Sequence, residues 1–173
     1  MFCRTEKEHY KGAEEEEIKE GTKDLFDYIA NSMLEFINKR HHLIKKIEKD
    51  QELKCTFIYG FPVRQESIAS GKLVKWTKGF RIDRLLERDA KELLEAAIDK
   101  IPDLRKLNIR IVALVNNTTA LLCGAIEKKP KCKIGLILGA GINACYLEKI
   151  DEVIQTLPFY IIIYSSHNAP NHF

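Results

Sequence analysis

IRIVALVNNTTALLCGAI, residues 109–126, changes character halfway along. Ile109, Ile111, Val112, Ala113, Leu114 and Val115 form a near-continuous apolar run, the pattern of a strand buried on both faces of an α/β sheet. Polar Asn116-Asn117-Thr118-Thr119 follows, and Ala120 to Ile126 then reads as a short helix. In open α/β sheets, ligands sit where strand ends and helix N-termini converge, so this junction is the first candidate site. Downstream, Ile134 to Leu138 is another apolar strand emptying into Gly139-Ala140-Gly141-Ile142-Asn143, and Ala144 to Glu148 is placed to pair back on it as a hairpin. Upstream, Thr56-Phe57-Ile58-Tyr59 reads as a strand stopped by Gly60 and Pro62. Leu25, Phe26, Ile29, Met33, Leu34, Phe36 and Ile37 recur at helical spacing, predicting a helix from about Thr22 to Arg40. Leu43, Ile44 and Ile47 either continue that helix or pack a loop onto it. A further helix begins at the Asp89/Glu92 cap pair, uses Leu93, Leu94, Ala97, Ile98 and Ile101 as its apolar face, and ends at Pro102. GKLVKWTKGF, residues 71–80, mixes glycines, cations and one tryptophan, as a turn with short strands does.

The 173 residues are 45% apolar and 31% charged, which fits one or two small globular domains and excludes a disordered or fibrous chain. Lys and Arg number 28 against 25 Asp and Glu, both signs scattered, so no basic arm for nucleic acid is present. Five cysteines make an odd set with no C-x-x-C pair, hence no legible disulfide framework or zinc knuckle. Residues 1–20 are too charged for a secretory leader, and Leu157 to Tyr164 is too short to cross a bilayer. The expected location is cytoplasmic, with neither membrane nor nucleic acid as partner. His9, His41, His42, His167 and His172 lie in charged or terminal segments and are read as surface residues, with no metal site expected.

Gly139 and Gly141, directly after a strand, suit either phosphate approach by backbone N–H groups or a plain tight hairpin turn. The wider pattern is more specific. FPVRQESIASGKLVKWTKGF (61–80), IVALVNNTTALL (111–122) and IGLILGAGINACYLE (134–148) resemble hexokinase in order and spacing, LFDYIA (25–30) agrees, and the resemblance covers about residues 17 to 150. It implies an α/β, actin-like ATPase (ribonuclease H-like) fold in which two domains close over a cleft. Residues 1–17 would be a polar lead-in, 18–115 the hexokinase small domain, 116–155 the opening of the large domain with its phosphate-loop hairpin, and 156–173 a divergent tail. The family's earlier phosphate loop, its later sugar-gripping glutamates and its adenosine pocket fall outside this sequence.

The family reaction is ATP-dependent 6-phosphorylation of glucose or another hexose, with Mg2+ arriving on ATP. By resemblance the sugar site comprises Gly60, Phe61, Pro62, Thr77, Lys78, Asn116, Asn117 and Asn143, and the ATP phosphates meet Gly139, Ala140 and Gly141. Thr77 and Lys78 match hydrogen-bond donors to sugar hydroxyls, and Lys78 also offsets charge during transfer. Read alone, Lys78 would be a solvated surface cation. Trp76 is read as a packing anchor. Three positions depart from the pattern. Asn117 stands where the family has its catalytic aspartate, Gly60 replaces a serine, and Ala140 replaces a threonine. An amide cannot take the proton that a sugar hydroxyl releases. The chain is therefore expected to be a truncated, catalytically impaired hexokinase; the alternative is a non-catalytic module that senses sugar or binds a partner.

Overall fold

A computed structural model describes residues 15–21, 24–40, 52–139, 142–149 and 161–165. The expectations for most of the polar lead-in, for residues 41–51, for Ala140 and Gly141, and for most of the tail lie outside the described residues.

The short α1 (Glu15–Lys19) precedes α2 (Leu25–Lys39), whose start is set by Asp24. Its Oδ1 accepts the Phe26 and Asp27 N–H groups at 2.9 and 3.1 Å, satisfying two donors that a helix start leaves unpaired. Strand β1 (Leu53–Ile58) leads into the hairpin of β2 (Val63–Gln65) and β3 (Gly71–Leu73). Helix α3 (Ala90–Lys100) follows, capped by Asp89, and stops at Ile101. Pro102 does more than end it. It also opens the next turn, α4 (Pro102–Arg105), where the missing N–H costs nothing. Strand β4 (Ile109–Val115) then runs into α5 (Asn117–Lys128), β5 (Ile134–Leu138), β6 (Ile142–Lys149) and β7 (Ile161–Ser165).

β1 and β4 pair in parallel from Leu53↔Ile109 to Ile58↔Val115, with a register slip between Cys55 and Thr56. β5, β6 and β7 form a second sheet, antiparallel between β5 and β6 and parallel between β6 and β7. Helices α2 and α3 pack on each other, and α3 packs on β4. Phe26, Ala30, Leu94, Ala97 and Ile98 thereby meet Leu73, Ile82, Leu104, Ile109, Ile111 and Leu114 in one buried cluster. Leu94→Ala, at a side chain only 2% exposed, is expected to cost about 3 kcal/mol through lost transfer energy and a residual cavity, read as a lower urea midpoint.

One expectation is corrected. β4 is not buried on both faces: Arg110 is exposed and Val112 is 37% exposed, as is Ile58 of β1 at 54%. Helix α3 covers one side of this two-stranded sheet, and the pleat sends alternate side chains to the other. The free edge of β4 is closed instead by the loop between β2 and β3. Leu114 N–H donates to the Ile68 carbonyl at 2.9 Å, and Gln65 Nε2 donates to the Leu114 carbonyl at 3.1 Å. This stitching fixes the end of β4, where the candidate site begins.

Candidate functional site

The site is built on the switch from β4 to α5. Asn116 is the N-cap residue of α5, extended at φ −68° and ψ 152°, and is only 8% exposed. Its Oδ1 accepts the Thr118 N–H at 3.1 Å, the Thr118 hydroxyl at 2.9 Å and Nδ2 of Asn143 at 3.2 Å. Asn143 also donates to Thr118 Oγ1 at 3.3 Å, so β6 is tied to the first turn of α5. A buried carbonyl oxygen with three donors has little capacity left, and the Asn116 side chain is thereby held in one orientation. Asn117 Oδ1 accepts the same Thr118 N–H at 3.0 Å.

The loop after β1 and the turn after β3 come to the same place. A Cβ added at Gly60 would stand 3.1 Å from Lys78 Nζ and 3.8 Å from both Cγ and Nδ2 of Asn117. Lys78 Nζ donates to the Gly60 carbonyl at 3.3 Å and lies 5.4 Å from the Phe61 ring centroid, within cation–π range. Residues 60, 61, 78 and 117 therefore share one small volume, although the sequence separates them by up to 57 positions (117 minus 60). A side chain at position 60 would press on the ammonium and touch the amide.

Lys78 is placed by strain and by aromatic packing. Its φ is +58° and that of Gly79 is +85°, in a turn closed by the Phe80 N–H donating to the Thr77 carbonyl at 3.2 Å. A lysine in this region costs on the order of 1 kcal/mol and persists only where its surroundings impose the conformation. Here Trp76 stacks on Phe80 with centroids 5.5 Å apart, and both stand nearly perpendicular to Phe61, at 4.9 and 5.2 Å. The Trp76 indole N–H donates to the Ile82 carbonyl at 2.7 Å. Trp76 is thus a packing anchor, as its sequence context implied. Pro62 takes part through its backbone, its carbonyl accepting the Val74 N–H at 2.9 Å. Tyr59, 4% exposed, continues the aromatic stack from Phe61 towards Phe26, and burial pushes its phenol well above the ordinary range.

Of the expected site residues, Gly60, Phe61, Lys78 and Asn117 meet directly, and Asn116 and Asn143 form an adjoining network. Thr77 contributes its carbonyl to the turn. Gly139 is exposed at the end of β5, while Ala140 and Gly141 lie outside the described residues. Thr118 was missed by the sequence reading. It is fully buried and joins Asn116 to Asn143, and its only signal was its place in the NNTT run. No helix among the described residues is long and apolar enough to cross a membrane.

Comparison with known proteins gives the family. The sequence matches the family model for hexokinase over residues 3–126. The chain belongs to the hexokinase family. It is 39% identical over 131 residues to hexokinase-4 of Arabidopsis thaliana, an alignment covering 76% of this chain and 25% of that protein. It is 37% identical over 139 residues to hexokinase-1 of Schizosaccharomyces pombe, covering 80% and 27% respectively. The solved structure of Schistosoma mansoni hexokinase complexed with glucose superposes with a TM-score of 0.64 at 35% identity, covering 78% of this chain and 28% of that one. The chain thus spans about a quarter of the length of the hexokinases it matches. The α/β arrangement is that of a hexokinase, with the actin-like fold of the family.

Proposed function

We propose that these residues form one wall of a hexose-binding cleft of hexokinase type, and that Asn117 leaves this wall able to hold a sugar but poorly able to promote its phosphorylation. The observation that carries the reading is the meeting of Gly60, Lys78 and Asn117, with Asn116 and Asn143 alongside. In this reading Lys78 donates to a sugar hydroxyl, and its charge faces the oxygen that would receive the phosphoryl group. Asn117 Nδ2 offers a donor to the same hydroxyl. Its carbonyl is already committed to the Thr118 N–H, and no group on the amide takes up a proton at neutral pH.

ATP, which brings Mg2+ with it, belongs to the reading only as the family's phosphoryl source. The described residues fit it incompletely: the Thr118 N–H at the start of α5 is taken by two asparagine side chains, and only Gly139 of the expected phosphate hairpin is described. The chemistry assigned to this chain is therefore restricted to holding the sugar. Pure binding, as in a sensing module, is favoured over turnover by one further detail. The Asn116–Thr118–Asn143 network is complete, whereas residue 117 offers no proton acceptor.

Trp76 is the only tryptophan and packs on Phe61, the ring that Lys78 also faces, so its emission reports on the site. Glucose is expected to change that emission saturably at millimolar concentration, because one polar wall binds a hydrated sugar weakly. No ATP consumption should accompany binding. Absence of any saturable response, in emission and in amide NMR shifts, would overturn the reading. Lys78→Gly provides a second check. It should raise stability by up to ~1 kcal/mol by relieving the left-handed φ while weakening glucose binding at least tenfold. If the glycine variant bound glucose normally, Lys78 would be only a turn residue.

A further inference from the structure

Thr118, fully buried between the first turn of α5 and β6, uses every polar group it has. Its N–H donates to Oδ1 of both Asn116 and Asn117, at 3.1 and 3.0 Å. Its hydroxyl donates to Asn116 Oδ1 at 2.9 Å and accepts from Asn143 Nδ2 at 3.3 Å, and its carbonyl accepts the Cys145 thiol at 3.1 Å. The backbone N–H fixes the polarity of everything around it. It can only donate, so the atoms of Asn116 and Asn117 that meet it are oxygens, and the amide nitrogen of each is turned away. Among the described residues neither nitrogen bonds another group of the chain, so both remain available to a ligand. The atom that Asn143 brings to Asn116 Oδ1, at 3.2 Å, must in turn be nitrogen. Asn143 Oδ1 then accepts the Ala144 N–H at 3.0 Å and keeps a second lone pair.

We propose that Thr118 is a positioning residue for the hexose wall: through it, Asn116 and Asn117 meet a sugar as hydrogen-bond donors and Asn143 meets it as an acceptor. This rests on the hexose reading above. It sets a rule for the ligand. A hydroxyl facing Asn116 or Asn117 has only to accept, a role that fluorine fills weakly, whereas the hydroxyl facing Asn143 has to donate, which fluorine cannot do. The Thr118 hydroxyl enforces the second half of that rule. Asn116 and Asn117 are oriented by a backbone N–H that any non-proline residue at position 118 keeps, but Asn143 is oriented by Asn116 Oδ1 and Thr118 Oγ1 together. Valine, similar in shape but without the oxygen, removes one acceptor from Asn143 and the closest of the three donors from Asn116 Oδ1. The Asn143 amide is then free to turn over and present either end to the sugar.

NMR of the isotope-labelled 173-residue chain tests this in two parts. Without sugar, the Asn143 side-chain amide is expected to exchange with water about tenfold more slowly than that of exposed Asn38. Thr118→Val should lose this protection and Thr118→Ser should keep it. With sugar, the monodeoxyfluoro analogues of glucose are titrated in turn. One of them is expected to bind about tenfold more weakly than glucose to the parent and to Thr118→Ser, and that gap should narrow about threefold in Thr118→Val. An unprotected Asn143 amide in the parent overturns the proposal whatever the sugars do, and this measurement stands even where valine at position 118 prevents folding. A parent that binds glucose but shows no fluorine gap overturns it as well, and so does a valine variant that keeps both the protection and the gap. Loss of both in the serine variant would reduce Thr118 to a packing residue. Asn143 protected as expected, with no saturable response to any sugar, overturns the hexose reading instead and leaves the amide arrangement standing.

Discussion

Asn117→Asp is expected to raise the rate of sugar phosphorylation about 10²–10⁴-fold, the span that general-base catalysis supplies. That corresponds to roughly 3–5 kcal/mol of transition-state stabilisation. The comparison is made within a complete cleft: a full-length hexokinase carrying residues 60–128 of this chain in place of its own matching segment, with and without the substitution. Residue 117 is the first residue of α5, and its side-chain oxygen already accepts the Thr118 N–H at 3.0 Å. A carboxylate there keeps that bond and adds a second oxygen. The helix N-terminus and the nearby Lys78 ammonium both favour its ionised form, leaving it free to accept a proton at neutral pH. The effect should fall on kcat, because the interaction is made as the hydroxyl loses its proton rather than when sugar binds. Equal kcat for the two grafts would show that residue 117 does not limit the rate.

Asp89→Ala is expected to lower stability by about 3 kcal/mol, among the largest single losses in the fold. This carboxylate is 6% exposed and joins two elements. Oδ1 caps α3 through the Lys91 and Glu92 N–H groups at 2.8 and 3.2 Å, and Oδ2 accepts the Ser70 hydroxyl at 2.5 Å and the Gly71 N–H at 2.9 Å. Alanine would leave the Gly71 donor buried without a partner and uncouple α3 from the start of β3. Burial alone would raise the Asp89 pKa, but the bonds from Ser70, Glu92, Lys91 and Gly71 outweigh it and hold the group below its ordinary value. A depressed folded pKa means the unfolded chain takes up the proton first. The stability from Asp89 is therefore full above the unfolded pKa of about 3.9 and is lost as pH falls below it towards the folded value. Urea midpoints should show the parent protein losing ground to Asp89→Ala below about pH 4. A constant difference between the two down to pH 2 would refute the assignment.

The elements were legible wherever a local rule sufficed. The period of Leu25 to Ile37 gave α2, Asp89 with Glu92 gave the start of α3, and the apolar runs gave β4 and β5. Even so, local rules misread burial. IRIVALV looks apolar on both faces, yet Val112 faces outward because α3 packs on the opposite side of β4. Residue type cannot report which face a neighbour covers. Thr118 was passed over for a related reason: a threonine after two asparagines is an ordinary helix start until Asn143 arrives from β6.

Sequence by itself determined the family, the residues available to the site and the absence of a carboxylate at position 117, because these depend on identity and order along the chain. Tertiary structure alone decided that Gly60, Lys78 and Asn117 share one volume and that Lys78 is held in a left-handed turn by stacked aromatics. Those facts depend on distances between residues far apart in the chain, which are set by how β1, the β2–β3 hairpin and α5 pack together rather than by local preference.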